Sequence, residues 1–416
     1  MKTTNNKTLV LLTESYPFGG FTEPSFIRPE IEFLSKQFDK VIILPYGSEG
    51  EMLTDNFPSN VYVDCYLQQR ISLKTKIESL FKSVSWSHLI QDAKNFIRIK
   101  DIWDEFAFSA YVIHIKRLLE QWIIQQNINL SNTLFYTFWF EFTTTALSLI
   151  PNVNLISRAH GHDIFTRRPL FISSSWRKQT LSALIKVYVA SEYGAKYIQF
   201  FYPEYKDKIH TRHLGSPKAI SENPSSKESD NHLSILSCAR LSPEKGVNRQ
   251  LRLLIKWAKQ RNDLIFDWTC IGDGPQKSEI EHISKYAPDN FRIQMLGAIT
   301  NEEVHHLLSM RHFDFSMLMS KSEGGCPIAA TEALSYGIPV IATSVGGLPE
   351  LLINNSGLLL SDNIDGPEFC KSMDSILPRL KGMRINAYTR WREGFNSVNL
   401  RESFANEIQQ LIYNIY

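Results

Sequence analysis

Residues Ser320–Leu351 read S-K-S-E-G-G-C-P-I-A-A-T-E-A-L-S-Y-G-I-P-V-I-A-T-S-V-G-G-L-P-E-L, and this stretch decides the fold around it. Its polar, Gly-rich start favours a loop, and Pro327 suits the first turn of a small-residue helix. Pro339–Ala342 is an apolar run typical of a short buried strand. Gly346 and Gly347 then precede a second helix, where backbone N–H groups make a ready site for a phosphate. The stretch predicts part of an α/β sheet that binds a ligand with phosphates and hydroxyls.

Length and composition set the limits around this stretch. The 416 residues suggest about two domains, and 43% hydrophobic with 21% charged residues is ordinary globular composition. A net charge of +2 argues against wholesale nucleic-acid binding. The five cysteines are scattered without a C-x-x-C pair, as in a cytosolic protein with reduced thiols. The start of the chain lacks the apolar segment of a signal peptide, and no run is apolar and long enough to span a membrane.

The beginning of the chain has the pattern of a doubly wound sheet. Apolar runs at Thr8–Thr13 and Val41–Pro45 predict two parallel strands, with a helix over about 25–38 between them. Ligands of such sheets lie beyond the carboxyl ends of the strands. Gly19 and Gly20, in the loop after the first strand, are therefore candidate ligand contacts, although a tight turn alone explains them equally well.

Shifts of composition divide the chain. Residues 217–232 are rich in Ser, Asn, Pro, Lys and Glu, as in a linker. We therefore predict a Rossmann-like domain over 1–216 and a second over 233–384, with further helices over 385–416. A helical, aromatic insertion is expected at about 69–127.

Charge is concentrated within that insertion. Between Arg70 and Lys100 there are seven Lys or Arg residues against two acids, Glu78 and Asp92. Such a region could rest on an anionic membrane surface, or it could be a solvated helical insertion whose aromatic residues are core. The second interpretation fits the pattern better, and both stay open.

Cations and glycines follow two strands of the second domain. Arg240 and Lys245 come after the strand Leu233–Cys238, five residues apart across a turn, so both can reach one anion. A plain surface turn with two solvated cations is the alternative. Gly272 and Gly274 lie in the loop after the next strand, which is not a dehydrogenase fingerprint because no G-x-G-x-x-G follows it.

A histidine motif follows a strand of the first domain. Arg158-Ala159-His160-Gly161-His162-Asp163 places an imidazole at the end of the strand, with a glycine beside it. Asp163 is expected to organise the loop or to cap a helix. A metal site of His160, His162 and Asp163 is conceivable from the ligand types, but the spacing is weak support for it.

These motifs together resemble the family 4 retaining glycosyltransferases that build bacterial surface polysaccharides. That family has an E-G-x-P loop and an E-A helix whose two glutamates are separated by seven residues, whereas eight residues separate Glu323 from Glu332 here. It also has a G-R-L-x-x-x-K-G motif, which Ala239 to Gly246 match with Ala in place of the first Gly. The resemblance implies the GT-B architecture, with two facing Rossmann-like, doubly wound domains, a cleft between them and final helices that cross back.

The resemblance also implies roles for single residues. His160 and Glu323 would meet the donor sugar or the transferring centre, and Glu332 would hold the ribose hydroxyls. Arg240 and Lys245 would bind the donor diphosphate and stabilise it as a leaving group. The remaining expected donor-site residues are glycines: Gly19, Gly20, Gly272, Gly274, Gly324, Gly325, Gly346 and Gly347.

The implied activity is a retaining hexosyltransferase that moves a sugar from a nucleoside-diphosphate sugar to a hydroxyl of a glycan or lipid-linked acceptor. No D-x-D sequence occurs, so we expect no metal and no cofactor, and the cations would neutralise the diphosphate. A cytoplasmic protein, with peripheral contact to the inner membrane surface as an open option, is expected. The alternatives are a nucleotide-sugar epimerase or phosphorylase of the same fold, or a catalytically idle glycan- or nucleotide-binding subunit. The extra residue after Glu323 is the feature that favours the idle subunit.

Overall fold

The computed structural model describes residues 6–19, 23–47, 50–53, 57–79, 83–92, 99–165, 174–219 and 231–412. The chain divides into two compact units, and each combines separate stretches of sequence. The first unit contains Met1–Ala190, Gly194–Arg212 and Arg401–Tyr416, and the second contains Ser191–Tyr193 and His213–Leu400.

The chain passes from the first unit into the second shortly before residue 216, where the sequence predicts the end of the first domain. Ser216 already lies in the second unit, where its amide donates to the Phe395 carbonyl at 3.0 Å. Residues 220–230 of the predicted linker lie outside the described residues. The chain remains in the second unit up to Leu400, and from Arg401 onward it belongs to the first.

The first unit has a parallel sheet of seven described strands. They are β1 Thr8–Thr13, β2 Lys40–Pro45, β3 Val61–Val63, β4 Thr133–Thr137, β5 Asn154–Ala159, β6 Lys186–Val189 and β7 Ile209–Thr211. Their order is β3-β2-β1-β4-β5-β6-β7. The two faces of β1 enter different cores, with Leu9 and Leu11 on one side and Val10 and Leu12 on the other. This explains its continuous apolar sequence, since a parallel strand is covered on both faces.

Helices cover this sheet, and three of them occupy the predicted insertion. The helices described from the start of the chain to Phe201 are α1 Glu23–Gln37, α2 Leu73–Ser79, α3 Ser83–Asp92, α4 Ile99–Gln125, α5 Phe142–Ser148, α6 Gly161–Phe165, α7 Ser174–Ala183 and α8 Glu192–Phe201. Within the described ranges, no helix of the protein is long and apolar enough to cross a membrane.

The second unit has a parallel sheet of six described strands. They are β8 His232–Cys238, β9 Ile265–Ile271, β10 Phe291–Gly297, β11 Phe315–Leu318, β12 Val340–Thr343 and β13 Gly357–Leu360, in the order β10-β9-β8-β11-β12-β13. The helices that follow β8 are α9 Val247–Ala258, α10 Lys277–Ser284, α11 Asn301–Met310, α12 Ile328–Ser335, α13 Leu348–Leu351, α14 Gly366–Ile376, α15 Leu380–Gly394 and α16 Ser397–Leu411.

The C-terminal helix α16 completes the first unit. Phe404 and Ile408 are fully buried in the same core as Leu9 and Leu11. Beside them, Glu407 accepts hydrogen bonds from Lys186 Nζ at 2.9 Å and Tyr188 Oη at 2.8 Å, and it also pairs with Arg212. Burial acts to raise the pKa of Glu407, but these hydrogen bonds and the cation outweigh it and lower the pKa.

Both sheets reverse their strand order at one point. The neighbours β1 and β4 in the first unit, and β8 and β11 in the second, are not consecutive in sequence. In open α/β sheets, ligands bind outside the carboxyl ends of the strands at this switch point. The predicted doubly wound α/β class is confirmed for both units, and their switch points are where a site is expected.

Candidate functional site

The loop after β8 carries the two predicted phosphate-binding cations. Arg240 is exposed, and Lys245 precedes Gly246, which starts α9 with φ +62°. A Cβ at Gly246 would lie 2.3 Å from the Met319 carbonyl oxygen, directly after β11. Glycine therefore lets the loop after β8 touch the loop after β11, at the switch point of the sheet.

That contact brings Lys245 to Glu323. The Lys245 Nζ lies 2.6 Å from Glu323 Oε1, and the Ser320 hydroxyl donates to the same oxygen at 2.6 Å. The Glu323 side chain is 8% exposed, against 27% for Lys245. The structure thus joins two predicted site residues that are far apart in sequence, and Ser320 is a partner that sequence reasoning missed.

The two Gly-rich loops of the quoted stretch pack directly on each other. Gly346 has φ +55°, and a Cβ there would lie 1.7 Å from the Glu323 carbonyl oxygen. A Cβ at Gly347 would lie 2.4 Å from the Gly325 carbonyl carbon. Cys326, in the longer form of the first loop, donates its Sγ–H to the Gly347 carbonyl at 3.3 Å.

One local expectation for this stretch, the place of Pro327, needs correction. Pro327 is not in the first helical turn: it is the N-cap of α12, with an extended backbone at ψ 132°. The helix after Gly347 is a single turn, Leu348–Leu351. A proline without an N–H group is tolerated at either position, so sequence pattern alone cannot separate them.

Gly272 and Gly274 allow two loops to approach each other closely. A Cβ at Gly272 would lie 1.9 Å from the Ala239 carbonyl oxygen, and one at Gly274 would lie 2.6 Å from the Leu241 carbonyl oxygen. These glycines therefore hold the loop after β9 against the turn that carries Arg240. Their contact with a donor stays a prediction.

Glu332, on α12, is buried in a polar setting. Its Oε1 accepts a hydrogen bond from Asn301 Nδ2 at 2.7 Å and lies 3.7 Å from His305 Nε2. Burial raises the pKa of Glu332, and the hydrogen bond from Asn301 acts against this rise. Sequence reasoning found the carboxylate but missed both of its partners.

In the first unit, His160 lies between β5 and α6. Its ring packs at tilted angles against Phe138 and Trp139, at centroid distances of 4.8 Å and 4.6 Å. Both ring nitrogens are buried and have no hydrogen-bond partner among the described residues. Asp163 accepts from the amides of His160 at 2.5 Å and Phe140 at 2.8 Å, which is the loop-organising role expected for it.

The loop after β1 is organised by Glu23, which the sequence analysis missed. Its carboxylate, at the start of α1, accepts hydrogen bonds from the amides of Glu14, Ser15 and Tyr16 at 2.6–2.8 Å, and from Trp139 Nε1 at 2.6 Å. The Gly19 amide is used in a backbone hydrogen bond to Glu51 at 2.9 Å. Gly20 lies outside the described residues.

Potential metal ligands converge elsewhere than the His160 motif. Among the described residues, the group with three ligand atoms within 4.8 Å of one another is His213, Cys326 and Glu350. Protein hydrogen bonds already engage this group, because His213 Nε2 lies 2.8 Å from Glu350 Oε2 and Cys326 donates to a carbonyl. Burial raises the pKa of the Cys326 thiol.

Comparison with known proteins finds a family that resembles part of the second unit. The family model described as glycosyl transferases group 1 matches residues 220–388. This part of the chain is similar to that family. The match contains every predicted site residue of the second unit, from Arg240 to Gly347.

Solved glycosyltransferase structures show the same fold over the whole chain. The lipopolysaccharide outer core galactosyltransferase WaaB has a TM-score of 0.67 at 13% identity, covering 98% of this chain and 100% of its own. Anabaena HepE, solved in complex with UDP, has a TM-score of 0.60 at 14% identity, covering 97% and 100%. The protein has the GT-B architecture.

Curated relatives match only part of the sequence. The gpi3 subunit of the Schizosaccharomyces pombe phosphatidylinositol N-acetylglucosaminyltransferase is 28% identical over 127 residues, which are 30% of this chain and 27% of that protein. The Escherichia coli putative colanic acid biosynthesis glycosyltransferase WcaL is 27% identical over 135 residues, 32% of this chain and 33% of its own. The chain thus spans no more than about a third of the length of these two relatives.

A single methyl group tests the contact between the Gly-rich loops. We expect Gly346→Ala to destabilise the second unit by about 1–3 kcal/mol or more. The cause is that alanine is strained at positive φ and that its Cβ would overlap the Glu323 carbonyl. Urea unfolding followed by circular dichroism measures the change.

The matched control is Gly382→Ala. Gly382 lies inside α15 and has no atom within 4 Å of an added Cβ, so alanine should stabilise the helix by about 0.5–1 kcal/mol. Equal unfolding midpoints for the two variants would contradict the close loop contact.

Proposed function

We propose that this protein is a retaining, metal-independent hexosyltransferase. It would transfer a sugar from a nucleoside-diphosphate sugar to a hydroxyl of a glycan or lipid-linked acceptor, in cell-surface polysaccharide biosynthesis. The observation that carries the proposal is the half-buried Lys245–Glu323 pair beside Arg240, at the switch point of the second sheet. The family match over 220–388 supports the same site.

In the proposed reaction, Arg240 and Lys245 bind the donor diphosphate. An ammonium has three N–H donors, so Lys245 keeps two for phosphate oxygens while one is held by Glu323. The leaving diphosphate gains charge as the glycosidic bond breaks, and fixed donors aimed at such charge contribute about 3–4 kcal/mol each. The cations would thus do the work of a divalent metal.

Glu323 and His160 are proposed to contact the donor sugar. Glu323 is held by Ser320 and Lys245, so its carboxylate has a defined place for accepting sugar hydroxyls. The His160 nitrogens have no hydrogen-bond partner in the described part of the chain, although Nδ1 lies 3.9 Å from Asp163 Oδ2, and this leaves them able to bind a ligand. The transition state would be oxocarbenium-like, with the departing phosphate positioning the acceptor hydroxyl.

The first prediction concerns nucleotide binding. We expect one of UDP, GDP and ADP to raise the melting temperature and to bind in isothermal titration calorimetry. UDP is our first choice because the structurally similar HepE was solved with it. Arg240→Ala should weaken that binding by about tenfold or more, since a charge-assisted hydrogen bond is lost.

Arg252→Ala is the matched control. Arg252 is an exposed arginine of the same unit, on α9, and pairs with Glu279 at 3.4 Å. Its loss should leave nucleotide affinity unchanged. If no nucleotide binds the wild-type protein, the transferase proposal fails.

The second prediction concerns the reaction. With a nucleotide-sugar of the base selected by that panel that serves as a donor, we expect NMR of the product to show the same anomeric configuration as the donor, and EDTA to leave the rate unchanged. Inversion would refute retention, and a rate lost in EDTA and restored by Mg²⁺ would refute metal independence. An idle subunit would bind nucleotide without transfer or hydrolysis, and an epimerase would convert the donor without an acceptor.

We further propose a cytoplasmic location with peripheral contact to the inner membrane surface. Large apolar side chains are exposed on the helices of the insertion, namely Leu73, Ile77, Trp86, Ile90 and Trp103. Arg70, Lys74 and Lys100 are exposed in the same region. Aromatic and aliphatic groups next to cations are what an anionic lipid surface attracts. Parts of the basic stretch, residues 80–82 and 93–98, lie outside the described residues.

Vesicle sedimentation tests this surface. We expect binding to phosphatidylglycerol vesicles but not to phosphatidylcholine vesicles, with a severalfold loss in the double variant Trp86→Ser/Trp103→Ser and at high salt. Tyr286→Ser, an exposed aromatic of the second unit, is the control. If the double variant and the control bound the vesicles equally well, the insertion would not be the part of the protein that contacts the membrane.

A further inference from the structure

The first turns of α11 present two side chains to Glu332. Asn301 and His305 are four residues apart, so they lie on the same face of the helix. Both reach Glu332 Oε1, at 2.7 Å from Asn301 Nδ2 and 3.7 Å from His305 Nε2. Within the described residues, both of these contacts are made to Oε1. The other carboxylate oxygen, Oε2, is left to accept hydrogen bonds from a ligand.

The start of α11 is itself fixed. Thr300 caps the helix by accepting from the Glu303 amide at 3.2 Å, and Glu303 accepts from the Thr300 amide at 2.7 Å. A capping box of this kind satisfies two backbone donors that would otherwise be unpaired. Asn301, the next residue, therefore begins from a defined backbone position.

The His305 ring is oriented from its other side. Its Nδ1 lies 3.0 Å from Tyr336 Oη, and the same hydroxyl lies 3.1 Å from the His305 carbonyl oxygen. When Tyr336 donates its one proton to Nδ1, the neutral imidazole carries its own proton on Nε2, which then faces the Glu332 carboxylate as a donor. His305 Nε2, buried and with no hydrogen-bond partner in the described residues, is thereby directed at Glu332.

We propose that Asn301 and His305 are positioning residues for Glu332, and that they set the preference of this site for a ribonucleotide over a deoxyribonucleotide. The proposal rests on the proposed function, in which Glu332 accepts from the ribose hydroxyls. A carboxylate that must accept two adjacent hydroxyls has to be held in one rotamer, because each bond is directional. One oxygen tied to α11 and one directed to the ligand give that arrangement.

Nothing else described holds the Glu332 carboxylate in place. The neighbouring residues of its own helix, α12, include Ala330, Thr331 and Ala333, which have no long polar side chain to hold a carboxylate. Without Asn301 the side chain would keep its burial but lose its only hydrogen bond among the described residues. Ribose discrimination should then fall, although the phosphate contacts at Lys245 and Arg240 remain.

The test compares UDP with 2′,3′-dideoxy-UDP by isothermal titration calorimetry, or the equivalent pair if another base binds. In the wild type we expect UDP to bind at least about tenfold tighter, because hydrogen bonds to a charged acceptor are lost in the analogue. In Asn301→Ala this ratio should fall to within about threefold, through weaker UDP binding and unchanged dideoxy-UDP binding. A general loss of structure would weaken both ligands alike, so the ratio separates the two roles.

The second position has its own pair of variants. His305→Ala should reduce the ratio, and His305→Gln, which keeps an amide donor at a similar reach, should restore most of it. His306→Ala is the control, because His306 is the exposed neighbour on the same helix. It should leave the ratio unchanged.

The possible outcomes distinguish a failure of the positioning role from a failure of the proposed function. No binding of UDP, GDP or ADP to the wild type overturns the proposed function. Nucleotide binding with a ribose preference that survives in both Asn301→Ala and His305→Ala overturns the positioning role. Equal wild-type affinity for UDP and dideoxy-UDP overturns it as well, because Glu332 would then not meet the ribose.

Discussion

The second unit depends on places where one backbone touches another with no side chain between them. Gly246 meets the Met319 carbonyl, Gly272 meets the Ala239 carbonyl, and Gly346 meets the Glu323 carbonyl. Each contact joins loops at the carboxyl ends of neighbouring strands. The loops therefore form a single main-chain platform, and the charged side chains that the site needs project from it.

This platform explains how the Lys245–Glu323 ion pair can have a defined position although it contributes little to stability. An ion pair that is partly exposed to solvent stabilises a protein by about 0–1 kcal/mol, too little to hold two loops together. The Lys245–Glu323 pair is instead a consequence of loops that glycines have already brought into contact. The fold does not depend on the attraction between these two charges. Both charges can therefore interact with a ligand.

The sequence predicts the central strands well, whereas two of the edge strands were missed. The bounds predicted for β1 agree with the structure, and those for β2 differ by one residue at its start, because central parallel strands are continuous apolar runs. The strands Val61–Val63 and Gly357–Leu360 were missed: both lie at sheet edges, and Tyr62 is half exposed, so neither forms a distinctive run. Motif spacing brought out Lys245, Glu323 and Glu332. It could not reveal that Asn301 reaches Glu332 across 31 residues, since that contact depends on how two helices pack.

The last helix has a consequence for how the protein is made. Phe404 and Ile408 complete a core that also contains Leu9 and Leu11 of β1. Ribosomes deliver the N-terminal end first, so the first unit must wait, with part of its apolar core uncovered, until α16 has emerged. The second unit begins later in the sequence, yet all of its residues are synthesised before Arg401. The order of folding can therefore be the reverse of the order of synthesis, and the unit that starts the chain is the one most exposed to aggregation and chaperone binding on the way.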